Sequence, residues 1–147
     1  MKKISIHTKV KNVLADTITP VSIYLKARDV FPNTILLESS DYRGSENSFS
    51  FICMNPISTF MVNEGKLTVE FLGETKVEEK INSPAHFSLK MNEYVKSFHF
   101  LEGDEAPING LFGYSEYDAV QYFETIKFQH KKKESYKIPE VRYSFYK

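Results

Sequence analysis

Ile4, Ile6, Thr8 and Val10 alternate with polar residues, the period of a strand with one buried face. Thr19-Pro20 follows as a helix start: the threonine caps, and proline at the first position gives up no hydrogen bond the helix needs. Val21, Tyr24, Leu25 and Ala27 then fall on one helical face until Phe31-Pro32-Asn33 stops the helix. Thr34-Ile35-Leu36-Leu37 is a continuous apolar run too short for a helix and suited to a central strand; it switches abruptly to Glu38-Ser39-Ser40-Asp41. Phe49 to Met54 reads as another buried strand, closed by Asn55-Pro56. Three strands then come at turn-punctuated spacing, Thr59 to Val62, Leu67 to Leu72 and Thr75 to Ile81, which predicts an antiparallel meander. Leu67, Val69 and Phe71 form one face of it, Thr68 and Glu70 the other.

Ser83-Pro84 repeats the cap-then-proline signal and opens a second helix, with Phe87, Met91, Tyr94, Val95 and Phe98 along one stripe. Residues 102–105 read as a solvated loop. Gly110 to Tyr114 is strand-like, Tyr117 to Glu124 predicts a short helix, and Gln129 to Tyr136 is the most polar stretch. Val141 to Tyr146 alternates like a strand just beginning. The sum is an α+β fold, mainly antiparallel sheet with two substantial helices. With 147 residues the chain has length for one domain with a real core, 1–147.

Composition narrows the function. Nineteen basic residues balance nineteen acidic ones, which removes the electrostatic basis for nucleic-acid binding. His130-Lys131-Lys132-Lys133 reads as a solvated connector, since no aromatic residue interleaves it. The single cysteine, Cys53, lies in an apolar stretch and reads as a buried, inert thiol. Two lysines at the start precede no long apolar segment, so neither a signal peptide nor a membrane span is expected, and the expected location is cytoplasmic.

No catalytic constellation assembles from spacing. His86 and His99, 13 residues apart on the expected second helix, would point to different faces, whereas a helical metal pair needs i,i+3 or i,i+4. No glycine-rich phosphate loop or nucleophile elbow is present. What remains is the polar cluster ending an apolar strand, Glu38-Ser39-Ser40. A carboxylate beside hydroxyls can hold an amino-acid ammonium group; the plainer alternative is a surface charge at the start of a loop.

Several segments, in order, carry a family resemblance. Thr19-Pro20-Val21 with Tyr24, then Leu36-Leu37-Glu38-Ser39, then Ser48-Phe49-Ser50-Phe51-Ile52-Cys53 with Pro56 resemble the opening of anthranilate synthase component I and its chorismate-using relatives. Asn109 to Tyr114 and Tyr117 to Glu124 resemble that family's G-G-L-V-G-Y and Y-D-x-V-R-Y-F-E. Ser48, Asn109 and Gln121 depart from the pattern, standing where the family has arginine, glycine and arginine.

The resemblance implies the amino-terminal regulatory domain of an enzyme that converts chorismate and ammonia to anthranilate and pyruvate in tryptophan biosynthesis. It implies Mg²⁺ and chorismate residues in a carboxy-terminal domain absent from this chain, no cofactor in the chain itself, and a chain inactive alone. A glutamine amidotransferase subunit is the implied partner and tryptophan the feedback inhibitor. Glu38 and Ser39 match residues that meet the inhibitor's amino group, and Phe49 and Ser50 the strand beside them. The rival readings are the corresponding domain of aminodeoxychorismate synthase component I and a free-standing ligand-binding module.

Overall fold

Residues 3–39, 49–72, 74–100, 109–126 and 138–147 are described by a computed structural model. Ser40, Ser48, the expected loop at 102–105, the basic run at 130–133 and the polar stretch 129–136 lie outside the described residues. In chain order the elements are β1 (Ile4–Ile6), α1 (Pro20–Ala27), β2 (Ile35–Ser39), β3 (Phe49–Cys53), β4 (Pro56–Asn63), β5 (Lys66–Phe71) and β6 (Glu74–Lys80). They continue with α2 (Pro84–Val95), β7 (Phe98–Phe100), β8 (Leu111–Ser115), a 3₁₀ helix (Tyr117–Tyr122) and β9 (Val141–Tyr146).

β4, β5 and β6 form the expected antiparallel meander, and β9 and β8 extend it into a five-stranded antiparallel sheet of order β6-β5-β4-β9-β8. The register sets its faces. Phe60 opposes Val69 and Tyr143, and Val62 opposes Leu67 and Val141, so these side chains share one face. α2 lays Phe87 and Tyr94 on that face, and Ala119 and Tyr122 of the 3₁₀ helix join the same core. Phe60 meets Phe87 edge-on at 5.8 Å between ring centroids, and Phe98 stacks on Phe145 at 4.8 Å. Lys90 of α2 reaches Glu79 of β6 at 3.0 Å, which holds the helix to the sheet edge and pushes the ammonium pKa up.

Both helix starts form as the sequence indicates. Thr19 accepts from the Ser22 amide and Ser22 answers the Thr19 amide, and Ser83 accepts from the His86 amide. The second helix is shorter than its apolar stripe implies. It closes at Val95, where Ser97 Oγ donates to the Tyr94 carbonyl at 2.6 Å. Phe98 and His99 therefore lie in β7, which pairs in parallel with β1, and His86 and His99 share no helix. β1 stops at Ile6, leaving His7 just beyond the strand and Val10 exposed.

Two further expectations change. β2 is not central: among the described residues it pairs only with β3, in a two-stranded ribbon beside α1, and Phe49 and Ser50 are exposed. A two-stranded ribbon cannot bury both faces, however apolar its sequence. β9, in contrast, is paired along both edges, with β4 and with β8. Gly113 of β8 makes that approach possible: a Cβ there would overlap the carbonyl oxygen of Arg142 and lie 2.8 Å from the Tyr143 Cα.

Candidate functional site

The apolar start of β2 anchors the ribbon. Ile35 opposes the buried Cys53, Leu37 opposes Phe51, and Phe51 packs against Phe112 of β8 at 5.2 Å between ring centroids. Burial also raises the Cys53 thiol pKa, which keeps it protonated and unreactive. From this anchored end the ribbon runs outward to its polar end. There Glu38 stands opposite Ser50 and Ser39 opposite Phe49.

Ser50 Oγ donates to Glu38 Oε1 at 3.4 Å across the two strands, and both residues are exposed. Among the described residues no cation pairs with Glu38. The carboxylate therefore keeps most of its accepting capacity for a ligand cation, with a hydroxyl beside it to share the load. Phe49 is 62% exposed and sits one residue along, where strand alternation turns it to the other face from Ser50. The four positions named by sequence all lie at one ribbon end, with Glu38 and Ser50 in contact on one face and Phe49 on the other.

Two groupings escaped sequence reasoning. Tyr122 Oη accepts from the Gly65 amide at 3.0 Å and donates to Glu140 Oε2 at 2.5 Å, tying the β4–β5 turn, the 3₁₀ helix and the approach to β9 together. Burial raises the Tyr122 pKa, and the carboxylate partner raises it further. The second grouping is a cavity of about 310 Å³ on the outer face of the sheet, lined by Pro32, Asn33, Asn55, Pro56, Thr59, Glu70 and Arg142 among others. Its prolines and asparagines read in sequence only as element breakers. Nothing in spacing alone brings 32–33, 55–56, 70 and 142 together.

Among the described residues no group of three or more His, Cys, Asp or Glu side chains is placed to hold a metal, and no helix is long and apolar enough to cross a membrane.

The class these features define is an α+β fold, mainly antiparallel sheet, with a solvent-open carboxylate beside a hydroxyl at the end of its two-stranded ribbon. No protein-family model matches the chain. Individual proteins do. Anthranilate synthase component 1 of Lactococcus lactis is 30% identical over 139 residues, 94% of this chain and 28% of that protein. The protein of the same name from Thermus thermophilus is 35% identical over 117 residues, 79% of this chain and 23% of its own length. That of Aquifex aeolicus is 32% identical over 119 residues, 78% and 23% respectively. The chain belongs to the anthranilate synthase component 1 family, and it spans about a quarter of the length of the curated relatives it matches.

Proposed function

We propose that this chain serves as the regulatory, amino-terminal domain of an anthranilate synthase component 1, and that its β2–β3 ribbon supplies part of a tryptophan feedback site. In this reading the activity, from chorismate and ammonia to anthranilate and pyruvate in the cytoplasm, belongs to a catalytic domain outside this chain. Mg²⁺ and chorismate are held there, and a glutamine amidotransferase subunit delivers the ammonia. The relatives' shared name favours this over aminodeoxychorismate synthase.

The observation that carries the tryptophan reading is the Glu38–Ser50 pair: an exposed carboxylate with a hydroxyl at 3.4 Å and no described cation to neutralise it. That is the complement of an α-ammonium group. Ser39 and Phe49, paired one register step further along, belong to the proposed site as its flanking positions, Phe49 as an exposed ring on the ribbon's other face.

Such a half-site is weak on its own. Burying an indole ring gains roughly 4–6 kcal/mol, from ~150–250 Å² at ~25 cal/mol/Å². Association costs of roughly 4–15 kcal/mol oppose it, and micromolar affinity needs about −8 kcal/mol net. Contacts from a second domain supply the difference, so tryptophan favours one domain arrangement and chorismate another. Titration calorimetry on this chain is expected to give a tryptophan Kd no tighter than about 1 mM. A micromolar constant would refute the shared-pocket reading and favour a free-standing binding module. In the complete enzyme, Glu38→Ala or Ser39→Phe is expected to relieve inhibition while leaving uninhibited turnover intact. Inhibition curves unchanged by both substitutions would remove the ribbon from the site.

A further inference from the structure

We propose that the cavity on the outer face of the sheet is a second binding site, distinct from the β2–β3 ribbon end, and that it takes a small zwitterion of free amino-acid size. This inference does not rest on the feedback reading: the cavity adjoins the Ile35–Cys53 end of the ribbon, and Glu38 and Ser50 lie at the other.

Three observations converge on it. The first is charge. Glu70 on β5 and Arg142 on β9 flank β4, with Thr59 between them on the same face. Among the described residues no hydrogen bond or ion pair engages the Glu70 carboxylate or the Arg142 guanidinium, which lies near the phenols of Tyr114 and Tyr146. Opposite charges held two strands apart offer an anion site and a cation site to one molecule, the guanidinium fork for a carboxylate and the carboxylate for an ammonium.

The second is backbone conformation. The described non-glycine residues with positive φ are Asn33, Asn55, Glu64 and Leu72. Three of them line this cavity: Asn33 (φ 59), Asn55 (φ 55) and Leu72 (φ 40). Asparagine tolerates that region, and Leu72 takes it as the first residue of the two-residue connection between Phe71 and Glu74, where a hairpin turn calls for positive φ. Both register irregularities of the sheet, at Pro56/Ser58 and Val69/Glu70, fall at residues lining the same cavity.

The third is preorganisation. The Leu72 amide donates to the Ile57 carbonyl at 2.9 Å, the Lys147 amide to the Asn55 carbonyl at 3.1 Å, and Tyr146 Oη reaches the Asn33 carbonyl at 3.5 Å. The Thr59 and Ser144 hydroxyls bond to each other at 2.9 Å and firm the floor. A volume of about 310 Å³ fits a free amino acid and excludes a peptide of several residues.

The test is amide chemical-shift mapping on this chain with glycine, L-leucine and L-phenylalanine, each to 10 mM, against acetate and ethylammonium as single-charge probes. The expected result is saturable shifts at residues 55–59, 70–72 and 142 for at least one zwitterion, at least fivefold weaker in Arg142→Gln and in the exposed-site variant Glu70→Gln. Glu38→Ala should leave these shifts unchanged, which separates the cavity from the ribbon. The proposal is overturned if no zwitterion moves those amides at 10 mM, if acetate alone reproduces the shifts, or if a folded Glu70→Gln variant responds like the parent.

Discussion

Replacing Tyr122 by phenylalanine removes one oxygen from a nearly closed site and tests whether the Gly65–Tyr122–Glu140 connection holds the domain together. Tyr122 is 8% exposed and Glu140 7%, so water has little access to take the hydroxyl's place. The substitution deletes a bond from the Gly65 amide at 3.0 Å and one to the Glu140 carboxylate at 2.5 Å. A neutral bond contributes about 1 kcal/mol net and one to a charged group about 1.5–3, so the expected loss is roughly 2–4 kcal/mol. At a urea dependence of roughly 1–3 kcal/mol per molar, the unfolding midpoint should fall by roughly 0.7–4 M, about 1–2 M at the middle of that range, with little change in slope. Glu140→Gln and the double variant close a thermodynamic cycle. A coupling energy of about 1 kcal/mol or more is expected between the two side chains. A loss below about 0.5 kcal/mol in Tyr122→Phe would refute the reasoning, because the pair would then be a surface contact that water replaces freely.

Gly113→Ala forces a Cβ into backbone atoms of β9, which no rotamer can relieve, and is expected to cost about 1–3 kcal/mol or more by thermal melting; an unchanged melting temperature would show that β8 does not lie this close. Burial raises the Tyr94 phenol to about 12 from 10.0. The folded state thus holds this proton more tightly than the unfolded chain. The associated stability is complete below about pH 10 and is lost as pH rises towards 12, in the same direction as for Tyr122. Urea midpoints should therefore fall between about pH 10 and 12, and fall less in Tyr94→Phe. Parallel pH profiles for parent and variant would contradict the assignment.

Features set by neighbouring residues were legible in the sequence. Thr19-Pro20 and Ser83-Pro84 mark helix starts because capping is a contact over three residues. The meander was legible because Leu67, Val69 and Phe71 alternate with Thr68 and Glu70 between turn residues. The end of α2 was not. Phe98 stands at the same i,i+4 spacing from Tyr94 that a continued helix would use, and its fate is decided by pairing with Ile4, 94 positions earlier in the chain. The ribbon end shows the same division. Glu38 and Ser39 were recognisable as a polar cluster, but the facing of Glu38 and Ser50 depends on a strand register that their separation along the chain does not fix. The charged cavity is less legible still, since its walls come from four separated segments.

The place of β9 in the sheet has a kinetic consequence. Phe60 and Val62 meet Leu67 and Val69 soon after the β4–β5 turn, yet their other neighbours, Tyr143 and Val141, emerge from the ribosome about 80 residues later. The hairpin must wait with one edge bare, and β8 has no described strand to join until β9 arrives. Closure of such distant pairings is slow, and an unpaired apolar edge is sticky in the interval. Synthesis past residue 146, more than any local helix or turn, sets the moment at which this chain becomes safe from aggregation.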